Sequence, residues 1–252
     1  MDIYNNFTRE ELKANEQFVA RVVFPLIYEE PQGTAIKGSG CFYRANNSNF
    51  VVTAAHVLEK LSLEDLGIPI APVSDVRIRQ FMNVEAHFPE NRDIDVAVLE
   101  LKDQLFIKEV FANWVCLSDE NVDTSEDNED DEYLVAGHPF RNVYPDGNKL
   151  IPKSLFQLYT SQYKGSVEKG KDETDLFMKH SKIAKNADNQ IIETIDMEGV
   201  SGSPVWKLIP STSGIWAPIR NLQLSAVECA FKANSYIRGK KWSVVEEIIS
   251  KL

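Results

Sequence analysis

From Val19 onward the sequence is cut into short apolar or alternating runs bounded by turn-forming residues, a pattern that restricts the body of the chain to β-strands. The first group of runs covers 19–28, 40–44, 50–54, 76–81, 84–88 and 95–101; the second covers 133–137, 155–163, 190–195, 204–208 and 222–231. Segments rich in Lys, Asn and Asp around 164–175 and 179–190 read as loops or a hairpin tip, and no internal repeat is present. Helical signals are confined to the two ends. Thr8 and Glu11 have capping-box spacing, which predicts a short helix over 9–18. Trp242, Val245, Ile248, Ile249 and Leu252 fall on one helical stripe, with Ser243 and Glu246 again at capping spacing.

The two strand groups are separated by residues 119–132, which hold nine acids and no base. The net charge of −11 is therefore mostly local, since the rest of the chain carries 29 acids against 27 bases. This divides the chain into an N-terminal helix with a first strand group (1–118), an acidic connector expected to be weakly ordered (119–132), and a second group with the terminal helix (133–252). The connector reads first as a spacer that keeps the chain in solution, and second as a docking site for a basic partner. Nucleic acid is disfavoured as a partner, because no basic patch with interleaved aromatics is present. No apolar run reaches the roughly 18–20 residues of a membrane span, and the first residues lack a basic flank and an apolar signal core. Cys41, Cys116 and Cys229 are an odd set without close pairing, which points to reduced thiols in a cytoplasmic setting and to a role as small buried hydrophobes.

Three local motifs carry chemistry. Gly199-Val200-Ser201-Gly202-Ser203-Pro204 sets a serine between glycines in a tight, small-residue turn; Thr53-Ala54-Ala55-His56 follows an apolar run; Asp95 precedes the alternating run 96–101. Acyl transfer needs a hydroxyl to attack a carbonyl, an imidazole to take its proton and a carboxylate to hold the imidazole's tautomer. Ser201, His56 and Asp95 supply these groups. Each motif alone also fits a turn or strand end. Their order, His then Asp then Ser, at separations of 39 and 106 positions, is what gives the set its weight. Asp93 is read as a solvated neighbour, Ser203 as a small-residue slot, and His87, His138 and His180 as loop or strand-end residues without metal-ligand spacing.

On these motifs the chain resembles the trypsin-like serine proteases, and most closely their bacterial intracellular peptidase domains, to which Leu134-Val135-Ala136-Gly137-His138-Pro139 is also similar. The resemblance implies an all-β, chymotrypsin-like double β-barrel with a short N-terminal helix and a C-terminal helix packed on the second barrel. It implies an oxyanion hole formed by the backbone amides of Gly199 and Ser201, and no cofactor or metal. The floor of the primary specificity pocket would fall at Ile195 or Asp196, with Ile195 suiting an apolar side chain and Asp196 a basic one. Substrate backbone would pair along residues 227–230. Glu228 stands where the family usually has a small residue and either favours a basic substrate or faces solvent; the weak preference is for cleavage after a basic residue. Secreted members have an acid immediately before the nucleophile and a cysteine just after the catalytic histidine. Here the positions hold Val200 and Val57, so a maturation cut is not needed to shape the turn and the flanking disulfide is absent. The implied partner is a protein or peptide substrate, with room for an activating protein. The competing reading is a catalytically silent module that binds peptides or partners on the same fold.

Overall fold

Thr8 accepts from the Glu11 amide while the Glu11 carboxylate accepts from the Thr8 amide, so the capping box predicted at the N-terminus is formed and α1 runs over Arg9–Val19. The computed structural model describes the chain apart from residues 1–6, 31–32, 73–76, 126–127, 141–142, 147–148, 153–154, 168–171, 186–190, 195 and 210–215.

Eight strands follow: β1 (Val23–Glu30), β2 (Gly33–Ala45), β3 (Ser48–Thr53), β4 (Leu66–Pro69), β5 (Ile78–Gln80), β6 (Val84–His87), β7 (Ala97–Leu101) and β8 (Cys116–Ser118). They form one sheet in the order β5-β4-β1-β2-β3-β7-β6, with β8 added parallel to the second half of β2. Edge strands β5 and β6 are joined by only residues 81–83, so the two edges must lie close together and the sheet curls. Its interior is aromatic. Phe24 is fully buried and packs on Phe42 and edge-on to Trp114, whose indole donates to Pro69 O at 2.8 Å. Each such ring contributes about 1.5–3 kcal/mol of burial.

The second sheet holds β9 (Glu132–Gly137), β12 (Phe156–Ser161), β13 (Asp175–Lys179), β16 (Pro204–Leu208), β17 (Leu222–Lys232) and β18 (Tyr236–Lys241), in the order β12-β9-β16-β17-β18-β13. An antiparallel bridge from Gln162 to Met178 brings its edges together. Two hairpins, β10 (Val143–Asp146) with β11 (Lys149–Pro152) and β14 (Ile183–Lys185) with β15 (Ile191–Glu193), stand apart from it. The architecture is thus mostly β, two curled sheets in a double-barrel arrangement, as expected.

Differences from the sequence reading have physical causes. Asp103 Oδ1 accepts from the amides of Leu105 and Phe106 and so starts α2 (Gln104–Phe111), which the pattern reading passed over. β13 and β18 were missed because their burial includes charge: Lys240, 1% exposed, pairs with Asp172 and Asp175 at 2.7 Å, and Arg238 reaches Asp175 at 2.8 Å. After the short α3 (Pro218–Asn221) and the last strands comes α4 (Ser243–Ser250). Its cap position is Trp242 with no side-chain bond, so Ser243 does not cap it, and Leu252 is exposed while Val244 is buried. α4 also reaches back to the first sheet, touching β7 and placing Trp242 edge-on to Tyr43 at 5.2 Å, instead of covering the second sheet alone.

The acidic connector is tied down in its described part. Lys207 on β16 is 4% exposed and pairs with Asp131 at 2.6 Å and Asp123 at 3.5 Å, the latter also 4% exposed, while Tyr43 donates to Asp119 at 2.6 Å. Charge neutralisation by one buried lysine thus orders a segment whose composition alone suggests repulsion. Lys207→Ala leaves Asp123 buried without this cation and is expected to cost about 3 kcal/mol in urea unfolding, whereas a loss below 1 kcal/mol would place the connector outside the cooperative fold.

Candidate active site

Thr53 on β3 pairs with Ala97 on β7, so the residues just after β3 and just before β7 leave the sheet at the same end. A short 3₁₀ turn over Ala55–Leu58 carries His56, and Asp95 stands two residues before β7. Asp95 Oδ2 lies 2.7 Å from His56 Nδ1, and Asp95 Oδ1 accepts from the His56 amide at 2.9 Å. These two bonds fix the ring's orientation and place its proton on Nδ1, leaving Nε2 as the acceptor. The hydrogen bond to Asp95 raises the His56 pKa against the opposing effect of burial. For Asp95, burial alone would raise the pKa, but the bonds from the His56 ring and amide prevail and lower it.

Ser201 sits on a turn that only glycine permits at two points, since Gly199 has φ 96° and Gly202 φ 89°. The turn is clamped from three sides: Ser39 on β2 donates its amide to Ser201 O at 2.8 Å, Gly202 donates to Glu228 O on β17, and the Glu228 amide donates to Ser203 O. Ser39 Oγ donates to Gly199 O and accepts from the His138 amide, both at 3.0 Å. His138 itself is buried, bonded through Nε2 to Val23 O, and held neutral by a pKa pushed down to about 4 through burial. Gly38 lets β2 come this close, because a Cβ there would meet Ser201 O at 2.7 Å. Glu198 O is turned to the Phe140 amide at 2.8 Å, so across that trans peptide the Gly199 N–H points the opposite way. Among the described residues neither the Gly199 nor the Ser201 amide donates to an acceptor. Two donors are therefore left free on one turn, as stabilisation of a developing oxyanion requires.

A Cβ on Gly202 would overlap Thr53 Oγ1 and Ser39 O and would demand the same left-handed backbone. Gly202→Ala is expected to destabilise the fold by about 3 kcal/mol, read as a lowered denaturation midpoint. A variant as stable as the parent would show that the turn has another conformation of similar energy.

Of the residues singled out in the sequence, the fold unites His56 with Asp95 and sets Ser201 on its strained turn. Among the described residues no hydrogen bond joins the Ser201 hydroxyl to the imidazole. Instead Ser201 lies beside Glu228 and holds its pKa down somewhat, although neither Glu228 oxygen completes a hydrogen bond. Glu228 is fully buried, which excludes the solvent-facing alternative, and burial pushes its pKa up to about 8. Asp196 is half-buried and accepts from the Glu198 amide at 3.2 Å, within the approach to the turn. Ile195 lies outside the described residues. The edge expected for substrate pairing at 227–230 is shifted, because Val227 already pairs with Pro204 and Lys240. Glu228 is closed as well, its amide bonded to Ser203 O and its carbonyl to the Gly202 amide, and past it β17 pairs with β18 alone among the described residues.

Cys229 carries a role that sequence reasoning missed. It is the extra residue of a bulge between Glu228 and Ala230, and its thiol donates to Asp95 O at 3.0 Å, fastening β17 to the loop that presents Asp95. Gly38-Ser39-Gly40 inside a strand was the available signal for the Ser39 clamp. All three cysteines are free thiols, Cys41 and Cys229 fully buried. Asp93 is exposed and Ser203 fully buried, matching their assigned places. The fold does assemble one group that spacing did not suggest: ligand atoms of Glu85, His87 and Glu100 lie within 4.8 Å of one another. The Lys102 ammonium bonds Glu85 and lies 3.4 Å from Glu100, so an organic cation already neutralises them.

No protein family matches the sequence, and no curated protein matches it. A solved structure from work on how aromatic interactions drive the coupled folding and binding of the intrinsically disordered Sesbania mosaic virus VPg protein is similar in fold. Its TM-score is 0.51 at 12% identity, over 89% of each chain. No helix among the described residues is long and apolar enough to cross a membrane.

Proposed function

We propose that this chain is a trypsin-like serine endopeptidase. The observation that carries the reading is the doubly hydrogen-bonded Asp95–His56 pair, 39 residues apart in sequence, beside a serine on a glycine-flanked turn with two free amides. In the reaction Ser201 Oγ attacks the scissile carbonyl as His56 Nε2 takes its proton, and Asp95 stabilises the imidazolium. The carbonyl oxygen becomes an oxyanion facing the Gly199 and Ser201 amides. His56 then returns the proton to the leaving amine, and water, activated by the same imidazole, hydrolyses the acyl-enzyme. The free thiols fit a reducing, cytoplasmic setting, and a specific protein target with an activating partner fits the resting state of Ser201.

A fluorophosphonate probe tests this directly. The wild-type chain should form an adduct that mass spectrometry maps to Ser201, and Ser201→Ala should form none. One observation favours the second reading, a peptide-binding scaffold without turnover: the Ser201 hydroxyl is not engaged with His56. Equal labelling of the two proteins, or none of either, would favour the scaffold.

A further inference from the structure

We propose that Glu228 is a positioning residue that gates the Ser201 nucleophile: as the neutral acid it donates to Ser201 Oγ and leaves the serine proton to His56, and as the carboxylate it takes that proton for itself. The inference rests on the hydrolase reading above and assigns the control of its nucleophile.

The geometry behind it is a fully buried carboxyl group without a completed hydrogen bond, beside the one hydroxyl that must be free to react. The titratable groups facing it are His56 from the 3₁₀ turn, Asp95 from the loop before β7, and the Cys229 thiol of its own strand. Two cations of the neighbouring strand β18 are engaged elsewhere, Arg238 with Asp175 and Lys240 with Asp172 and Asp175. Among the described residues Glu228 makes no salt bridge, and its proximity to Asp95 adds to the cost of ionisation.

A hydroxyl has one proton and cannot give it to two acceptors. An ionised carboxylate in a dry site is the stronger acceptor, so an ionised Glu228 outcompetes the imidazole. A protonated Glu228 reverses the arrangement, because its own O–H becomes the donor and the serine oxygen the acceptor. On ionisation the Glu228 O–H bond breaks and its proton goes to solvent, and the Ser201 O–H turns from His56 Nε2 to the carboxylate; no other covalent bond changes. Burial pushes the Glu228 pKa up to about 8, so the switch falls just above neutral pH. The acid side is set separately by His56, which must be neutral to accept.

The test is the pH dependence of fluorophosphonate labelling in the full chain, corrected for probe hydrolysis. The wild-type rate should fall about tenfold between pH 7 and pH 9, the change expected for one group titrating near 8. Glu228→Gln, which keeps a neutral donor, should stay level over that range. Glu228→Val should also stay level, and serves if the glutamine variant fails to fold. An alkaline loss that persists in both variants, or a level wild-type rate, overturns the gate while leaving the hydrolase reading in place. No adduct at any pH overturns both. A ¹³C-carboxyl titration of the wild-type chain stands apart from activity: a Glu228 resonance titrating near 8 and moving higher in Ser201→Ala supports the contact. Titration near the ordinary carboxylate value overturns it.

Discussion

Ser201→Ala is expected to lower the turnover of an activated ester by roughly 10⁴- to 10⁶-fold, leaving the residual rate that the two free amides and binding alone provide. The effect is this large because the hydroxyl, the imidazole and the carboxylate act as a unit. Without Ser201 no acyl-enzyme forms, and His56 has only water to activate. His56→Ala should be nearly as damaging, and the double variant scarcely worse than either single one. Asp95→Asn keeps a hydrogen bond to the ring but favours the wrong tautomer, and should cost about 10⁴-fold in kcat. Each variant should unfold within about 1 kcal/mol of the parent, since His56 and Asp95 are partly exposed and the turn around Ser201 is held by main-chain bonds. Ester turnover that survives Ser201→Ala would end the nucleophile assignment.

The second large effect concerns stability. The native pKa of Glu228 is pushed up to about 8 from the ordinary value of 4.5, so the folded chain keeps a proton there that the unfolded chain releases. Wherever the native state binds more protons than the unfolded one, stability falls as pH rises, here from 4.5 up to about 8. Glu228→Gln cannot ionise and escapes that loss. The variant is expected to be similar to the parent at pH 4.5 and more stable by on the order of 4 kcal/mol at pH 8, read from urea midpoints at several pH values. A stability difference that does not change with pH would show that the carboxyl does not titrate in this range. The parent thus carries a cost at the centre of its site, as strained functional positions commonly do.

Much of the frame was legible before any coordinates. The capping box at Thr8, the strands expected at 95–101 and 133–137, and the pairing of His56 with Asp95 all follow from local signals that the fold respects. What escaped was set by distant partners. The polar sequence of β18 does not read as a strand, because its Lys240 is compensated by acids some 65 residues upstream. The acidic connector reads as loose until Lys207 is found beneath it. Cys229 and Glu228 sit side by side in sequence, and only the bulge between Glu228 and Ala230 explains how the first reaches Asp95 while the second lies beside Ser201. Alternation alone cannot announce a bulge, since the extra residue shifts the face on which later side chains fall.

Val200 draws out a last consequence. It is fully buried in the apolar cluster of the second sheet, next to the nucleophile, where an ion pair could otherwise have shaped the turn. Dissolved electrolyte screens paired charges, whereas it does not screen dispersion contacts. At this position the bend that presents Ser201 rests on apolar packing, with no charge for dissolved salt to screen.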